Sequence, residues 1–531
     1  MKYSQAYEGL SKEWKNTCRI LLKEEIGELS DFSGYLQKYI EPVRAQKSSL
    51  SQKSITLSND AACPPKRVIG MEELGVYAKK TEKIKLDINQ IKDIDSIISS
   101  LEEKFYYCGN VVLGNSSNVE NSHRCTNTNY ALASHEVADC QYISNSTMAR
   151  YCEYIFGSSI MGETKYLINV LYSTKSVRCM ECTHPLRSSD CYFGANLEDC
   201  SDCMFSFNLK NKNNSIGNLP LEKSKYMQIK QKLLSEIARK LKKEKNMRGI
   251  IELIAGIPSP STPKERPEYV FKTQHPPSKE VEEAFQATTK VLLGKPLSNL
   301  QTYEKYLLAN TKKPISAKSA ISSKPLHAIP MLFNRELKNS FVSRDEAAEL
   351  SSRRISPQSA DELSLENMDK ILHEIKYTCP QVILGENEDV EESVVYNTSR
   401  HCYGGSVYYF AKYCAYCFWP RNSEYIFGST SVFSSKFCLA CHYSSSLTRC
   451  FELSDCNNCS DCYFCHNVEN CTECMFCFNT KAKRYAIGNV EYPKEVYLKL
   501  KKKIQEEIFA KLEKDKKLDL NIFNLGCKKN G

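Results

Sequence analysis

CNNCSDCYFCHNVENCTECMFC, residues 456–477, is the stretch that decides the fold, because its seven cysteines stand three residues or a multiple of three apart. The same three-residue frame, extended from Val390 to Thr480, contains all thirteen cysteines of that window. A period of three fits neither an α-helix, which repeats about every 3.6 residues, nor a β-strand, which repeats about every two. It is typical of a narrow β-solenoid in which each short side turns one small residue inward and two residues outward.

The chain repeats itself after 271 residues, without a gap over more than a hundred positions. The string EYIFGS begins at Glu153 and again at Glu424, and Ile-Gly-Asn begins at Ile216 and at Ile487. A match of this length predicts a tandem duplication. The helical segments before the two copies also resemble each other, and we align Ser278-Lys279-Glu280 with Ser11-Lys12-Glu13.

Both copies keep charge out of the three-residue frame. In the first copy the frame from Ser116 to Ser206 has thirty-one positions and no charged side chain, and the frame from Val390 to Thr480 has none either. Many cysteines of one copy are multiples of twelve residues apart, which predicts twelve-residue coils stacked at the usual strand spacing of about 4.8 Å. Cys125 and Cys140 are fifteen residues apart, so a coil of variable length stays open.

The predicted fold class is therefore α+β, with two tandem narrow β-solenoids, each with a helical lead-in and an amphipathic helical cap. Two basic helices, at about 221–245 and 494–514, would cover the open ends, where strands lack partners. The segment 45–60 is rich in Ser, Gln and Lys and the segment 311–330 in Pro, Ser and Lys, and we interpret both as links. The predicted domains are a lead-in at 1–104, a first solenoid at 105–218, a cap at 219–250, a Pro/Ser-rich linker at 251–277, a second lead-in at 278–375, a second solenoid at 376–489, and a cap and tail at 490–531.

Two resemblances follow from these motifs. The twelve-residue, cysteine-bearing coil resembles, in spacing only, the small β-solenoid antifreeze proteins of beetles, but their regular threonine pairs are missing. The cysteine pairs and Ile-Gly-Asn before a Lys-rich helix resemble a loosely defined family of Cys-rich repeat proteins of archaea, small-genome bacteria and their phages. That resemblance covers roughly half of the chain and implies no catalytic residues.

Composition points to an intracellular protein. The chain is 41% hydrophobic and 25% charged, as globular proteins are, and its apolar runs are too short to span a bilayer. The N-terminus lacks the apolar core of a secretory signal, so we expect a cytoplasmic location. There, 26 cysteines are expected as thiols or metal ligands before disulfides. The net charge of +9 permits an acidic partner without requiring one.

The cysteine run also suggests zinc, since four thiolates at tetrahedral positions satisfy this ion. The opposing interpretation is that cysteine fills a narrow core as a small apolar residue, with core disulfides as a third alternative. Cys477, Cys465 and Cys441 face Ser206, Gly194 and Val170 in the other copy, and this free exchange favours packing. The candidate metal ligands are Cys456, Cys459, Cys462, Cys465, Cys471, Cys474 and Cys477. We expect no cofactor, with zinc as the alternative.

The sequence contains no phosphate-binding loop, nucleophile elbow or metalloprotease histidine pair, so the chain is predicted not to be an enzyme. The leading hypothesis is a structural or interaction protein that presents solenoid faces to a protein partner or to itself. The alternative is a zinc protein that binds nucleic acid through its basic helices and outward aromatic residues. Packing of these aromatic residues inside the protein is the favoured interpretation, and His466 is expected to be exposed. The aromatic and basic candidates are Tyr151, Tyr154, Tyr192, Phe193, Phe205, Tyr463, Phe464, Phe476, Lys499, Lys501, Lys502 and Lys503.

Overall fold

The computed structural model describes residues 4–58, 67–87, 91–256, 273 and 275–525. Groups of helices and long runs of mostly parallel strands make up the described chain, so the predicted α+β class is confirmed. Most of the predicted linker at 251–277 lies outside the described residues, and its described beginning continues a helix that ends at Ala255.

Helices occupy both lead-in segments and follow both strand-rich parts. In the described ranges they are α1 (Gln5–Leu22), α2 (Ser33–Leu36), α3 (Leu74–Thr81), α4 (Ile94–Leu101), α5 (Lys223–Glu244), α6 (Ile250–Ala255), α7 (Lys279–Leu293), α8 (Glu304–Leu307), α9 (Leu332–Leu337), α10 (Arg344–Leu350), α11 (Pro357–Glu362), α12 (Met368–Leu372) and α13 (Lys494–Asp515).

Most strands are short. Those of the first half are β1 (Val43–Lys47), β2 (Ser54–Ser58), β3 (Val68–Gly70), β4 (Tyr107–Gly109), β5 (Val112–Leu113), β6 (Ser117–Glu120), β7 (His123–Thr126), β8 (Asn129–Leu132), β9 (His135–Ala138), β10 (Gln141–Ser144), β11 (Thr147–Arg150), β12 (Glu153–Phe156), β13 (Ser159–Gly162), β14 (Lys165–Thr174), β15 (Val177–Leu186), β16 (Tyr192–Glu198), β17 (Ser201–Met204), β18 (Asn213–Ile216) and β19 (Leu219–Pro220). We call β5 to β18 the first body.

Those of the second half are β20 (Ile315–Lys318), β21 (Pro325–Ala328), β22 (Val382–Leu384), β23 (Glu388–Glu391), β24 (Val395–Asn397), β25 (Arg400–Tyr403), β26 (Val407–Ala415), β27 (Phe418–Phe427), β28 (Thr430–Phe433), β29 (Lys436–Leu439), β30 (His442–Ser454), β31 (Asn457–Ser460), β32 (Tyr463–Glu469), β33 (Thr472–Met475), β34 (Phe478–Lys481), β35 (Arg484–Ile487) and β36 (Val490–Glu491). We call β22 to β35 the second body.

Strands within each body pair in parallel with partners twelve residues away. Gln141 lies opposite both Asn129 and Glu153, and the same step recurs through most of both bodies. Cys125 lies opposite Val137, so the fifteen residues between Cys125 and Cys140 reflect two different strand positions and not a longer step. The first parallel pair of each body, β5 with β7 and β22 with β24, is offset by thirteen.

Through most of both bodies every third residue has a left-handed backbone, and Val395 and Val407 interrupt the series in the second body. The series runs from Asn118 to Gly217 in the first body without a break, with φ between 46° and 67°. Such angles are uncommon for residues other than glycine, so the backbone hydrogen bonds between neighbouring steps must hold them in place. Residues that follow a left-handed residue are the ones in the charge-free frame, and they fill the interior. Left-handed residues point outward, and those twelve apart line up in four columns along each body.

The predicted links at 45–60 and 311–330 are incorrect for their described residues. β1 pairs antiparallel with β2, and β20 with β21, and these pairs are again 271 residues apart. Side-chain bonds close both hairpins, from the Ser48 hydroxyl to Glu73 at 2.7 Å and from the Ser319 hydroxyl to Glu346 at 2.7 Å. Short-range composition suggested flexible chain because the hairpins are mostly polar and lie at the surface.

The first helices of the two halves, α1 and α7, also correspond to each other at the 271-residue shift. Tyr192 donates its hydroxyl to the Leu21 carbonyl at 3.0 Å, and Tyr463 donates to Leu292 at 2.8 Å. The alignment of Glu280 with Glu13 is therefore wrong by four residues. An amphipathic helix presents nearly the same apolar face after one further turn, so hydrophobic spacing alone could not distinguish the two registers.

The lead-in of each half covers the end of the body in the other half. Asn208 of the first body donates to the Tyr377 carbonyl at 3.0 Å, and Asn479 of the second body donates to Tyr106 at 2.7 Å. At the final steps the Ile355 amide donates to Gly217, and Lys104 donates to Gly488. Both bodies thus end against the lead-in of the opposite half, whereas α5 and α13 contact the final parallel strands β18 and β35 and the helices α1 and α7.

Candidate interaction surface

The cysteines point inward, as predicted from the frame. All 24 described cysteines are buried, and none of these is in a disulfide. The thiol of Cys441 approaches the carbonyls of Leu439 at 3.7 Å and Cys450 at 3.5 Å, two residues before it and nine after it. The hydroxyl of Ser188 bonds the corresponding carbonyls of Leu186 and Leu197. Serine hydroxyls and cysteine thiols therefore donate to equivalent backbone carbonyls, which explains the exchange of these residues between the copies.

The seven candidate ligands are close neighbours without forming a compact set. The neighbouring thiols of Cys450, Cys459, Cys465 and Cys474 raise the pKa of Cys462, and its own thiol donates to the carbonyls of Ser460 at 3.2 Å and Cys471 at 3.7 Å. In the part of the chain that the structure describes, however, no three cysteine sulfurs lie within 4.8 Å of one another. Burial raises the pKa of Cys456 and Cys477 well above the ordinary thiol value, which disfavours the thiolate that a metal needs.

One column of each body lies under a helix. In the first body Tyr130, Tyr142, Tyr154 and Tyr166 stack with ring centroids 4.6 to 5.2 Å apart, and α1 packs across them. In the second body His401, Tyr413, Tyr425 and Phe437 stack in the same way, with α7 across β25 to β30. Stacked aromatic rings under a helix stabilise this side of each body by apolar burial.

Most of the aromatic residues considered for nucleic acid are inside the protein. Tyr192, Phe193, Phe205, Tyr463, Phe464 and Phe476 are buried, and Tyr154 is half-buried in its stack. Tyr151 alone among the eight is exposed. Lys501 is buried too, with its ammonium 2.7 Å from Glu473, whereas Lys499, Lys502 and Lys503 face solvent.

A second column carries a buried glutamate in each half. Glu181 accepts from the Tyr35 hydroxyl and from the Ile250 amide at 2.8 Å. Glu452 accepts from the Tyr306 hydroxyl at 3.3 Å and from the Ile522 amide at 2.8 Å. Burial raises the pKa of Glu452 to about 8. Sequence reasoning missed both residues, although glutamate recurring one repeat apart in an otherwise variable column was an available signal.

A third column joins the two bodies. Arg124 pairs with Asp455, with Nη2 to Oδ2 at 3.0 Å, and its guanidinium lies 3.5 Å from the Tyr443 ring centroid. Tyr172 and Tyr409 share a hydroxyl–hydroxyl bond of 2.6 Å. Early steps of one body thus contact late steps of the other, so the bodies run antiparallel.

His466 contradicts the expectation that it is exposed. It is 3% exposed, and its Nε2 accepts from the Cys108 amide at 2.9 Å. Its Nδ1 lies 2.7 Å from the Ser454 hydroxyl. Burial lowers its pKa to about 4, so the imidazole is neutral and fixed in the contact between the halves.

The fourth column of each body is exposed over its whole length, and we call these the first and second open columns. Neighbouring residues in a column are twelve apart, so their backbones repeat at the strand spacing of about 4.8 Å. The first open column is Asn127, Asp139, Tyr151, Glu163, Lys175, Arg187, Asp199 and Asn211, and the second is Thr398, Phe410, Asn422, Ser434, Ser446, Asn458, Asn470 and Ala482.

Their chemistry differs. Charges of the first open column pair along it, as Arg187 does with Asp199 at 2.7 Å. The second open column has no charged residue, and Asn458 donates to Asn470 at 2.7 Å. Beside it, Ser445 bonds Asn457 at 2.8 Å and Ser460 bonds Thr472 at 3.2 Å. The second body thus presents a regular patch of hydroxyl and amide groups.

Two further observations concern the molecule as a whole. Among the described helices, none combines the length and apolar character needed to cross a bilayer. No protein family, curated protein or solved structure matches the chain.

Proposed function

We propose that the chain is a non-enzymatic scaffold: two β-solenoids, arising by duplication, that pack side by side and present their open columns to a protein partner. The observation that supports this most is the exposure of all sixteen open-column residues. In both halves the other three columns are largely occupied by helices, lead-in segments or the opposite body. A flat, rigid surface with regular spacing binds an extended partner with little loss of conformational entropy.

The charged groups elsewhere already have structural roles. Glu181 and Glu452 each bind a tyrosine hydroxyl and a backbone amide, and Arg124 with Asp455 joins the bodies. Groups held in this way stabilise contacts between distant parts of the chain, so they support a scaffold more than a catalyst.

Photo-crosslinking tests the proposal. A photoreactive phenylalanine analogue replaces Tyr151 or Phe410 of the open columns, and Met227 or Leu498 of α5 and α13 in matched controls. All four side chains are exposed, by 55%, 43%, 48% and 40%. In cells that express the chain, we expect one protein to be captured from the open columns and not from the helices.

The outcome can contradict the proposal. Capture of the same proteins from all four positions would mean that the open columns are ordinary surface. Capture of a second copy of the chain, accompanied by a doubled mass in light scattering, would make self-association the function of these columns.

Zinc binding by Cys456 to Cys477 is the second candidate. The observation in its favour is the contact of Cys462 with four other thiols, which a small shift of side chains could convert into a ligand set. Metal analysis of the purified protein, combined with titration of its thiols, distinguishes a zinc site from a packed core. One or more equivalents of zinc, lost together with the fold on chelation, would favour the metal.

A further inference from the structure

We propose that Glu280, Asp389 and His401 form a binding site for a divalent transition-metal ion, separate from the cysteines. Within the described residues this is the group of three whose ligand atoms all lie within 4.8 Å of one another. Ligands around one metal at about 2.0–2.2 Å are necessarily this close to each other. The proposal does not depend on the scaffold function.

The three side chains come from separate segments. Glu280 lies in the first turn of α7, Asp389 lies in β23, and His401 lies in β25, which pairs with β23. Asp389 and His401 are twelve residues apart and therefore stack, with His401 Nδ1 2.9 Å from Asp389 Oδ2. The imidazole is 18% exposed and the Asp389 side chain 23%, so an ion can reach them from solvent.

Neighbouring side chains hold two of the ligands in place. The His401 ring stacks on Tyr413 with centroids 5.0 Å apart and an interplanar angle of 12°. The Ser278 hydroxyl donates to Asp389 Oδ2 at 2.6 Å. Support of this kind fixes the orientation of metal ligands and raises affinity.

The donor set selects the type of metal. Two carboxylates and one imidazole suit Mn²⁺ or Zn²⁺, with water in the remaining positions, and they are poor ligands for Cu(I), which prefers sulfur. A bound ion would fasten α7 to the first steps of the second body.

The first half provides a natural comparison. The positions 271 residues earlier are Gly9, Asn118 and Tyr130, which do not form this ligand set. The Tyr130 ring occupies the space that a side chain at Gly9 would need. The start of α1 is instead tied directly, by a Ser4 hydroxyl bond of 2.8 Å to Glu120.

The test is a titration with Mn²⁺, followed by the electron paramagnetic resonance signal of the free ion. Mn²⁺ is the chosen probe because thiols bind it weakly, so the cysteine core contributes little. The variants are Asp389→Asn, which installs one residue of the first half, and the triple variant Glu280→Gly/Asp389→Asn/His401→Tyr, which installs all three and leaves room for the tyrosine ring. The introduced tyrosine ring would still stack on Tyr413, and circular dichroism checks that the fold is retained.

We expect the parent protein to bind one equivalent of Mn²⁺, and each variant to bind it at least tenfold more weakly. A Zn²⁺-dependent rise in melting temperature should likewise be smaller in the variants. The proposal is overturned if the parent binds neither ion, or if folded variants bind both as tightly as the parent does. Glu280→Gln, at an exposed helix position, provides a further variant whose folding is not at risk.

Discussion

The first and second open columns occupy equivalent places in the two halves, yet one is charged and the other is neutral. The charged side chains of the first open column form ion pairs with each other and are solvated, so each ion pair contributes at most about 1 kcal/mol to stability. Along the second open column, hydrogen bonds between amide and hydroxyl side chains take the place of these ion pairs. Neither set is required by the fold, so the two open columns are free to differ in their chemistry.

The interiors differ in a more restricted way. The inward frame holds thirteen cysteines in the second body and eight in the first. In the first body serine, glycine and valine occupy some of the positions that are cysteine in the second. Interior residues must be uncharged, whereas open-column residues have no such constraint. Comparison of the halves thus separates what folding demands from what it leaves free.

The largest expected effect comes from the contact between the bodies. Asp455→Ala removes the carboxylate that neutralises the largely buried Arg124 in the contact between the bodies, which should lower the free energy of unfolding by about 3–5 kcal/mol. Asp461→Ala breaks the more exposed pair with Arg449, 2.6 Å long, and should cost about 1 kcal/mol or less. Urea denaturation of both variants measures the difference. Equal losses would show that the pair between the bodies is no more important than a more exposed pair within one body.

Glu452 should make stability depend on pH. Its pKa rises from 4.5 to about 8 on folding because it is buried, so the folded state binds the additional proton. The resulting stability is fully present below about pH 4.5 and is lost as the pH rises through 8, by about 3 kcal/mol between pH 5 and pH 8. Glu452→Gln should flatten this part of the profile of melting temperature against pH. If the variant keeps the parent slope, another group carries it.

A smaller effect is expected in the cysteine core. Cys477→Ser places in the second body the residue that the first has at Ser206, so the free energy of unfolding should change by less than about 1.5 kcal/mol. A zinc site that uses Cys477 predicts a larger loss, together with loss of bound metal. Urea denaturation and metal analysis of the same sample decide between these outcomes.

The smallest effect on stability belongs to the open columns. Phe410→Ala and Tyr151→Ala remove exposed side chains and should each change stability by no more than about 0.5 kcal/mol. Binding of the crosslinked partner should nevertheless weaken in one variant and not in the other, if the two columns have different partners. Equal weakening would mean that one partner spans both bodies.

Sequence reasoning reached the repeat, its shift and the period of twelve, because all three are set by side chains that recur locally. It missed the hairpins, since their residues carry no three-residue pattern. It also predicted that His466 is exposed, because residues outside the inward frame were assumed to face solvent. The buried glutamates show the same limit, since Glu181 and Asp199 are both charged and outward from their body, but only Asp199 meets solvent.

By itself the sequence determined which residue of every three fills the interior, because a buried core excludes charged side chains and the frame contains none. It did not determine which outward column is open. Tertiary structure decided that, through α1 and α7, the exchanged lead-in segments and the antiparallel contact of the bodies. These elements lie far away in the chain, and the apolar surface they cover is recognisable only when both partners are in place. The sequence thus places the cysteines of 456–477 in the interior, whereas the packing of helices, lead-in segments and bodies decides which surfaces stay exposed.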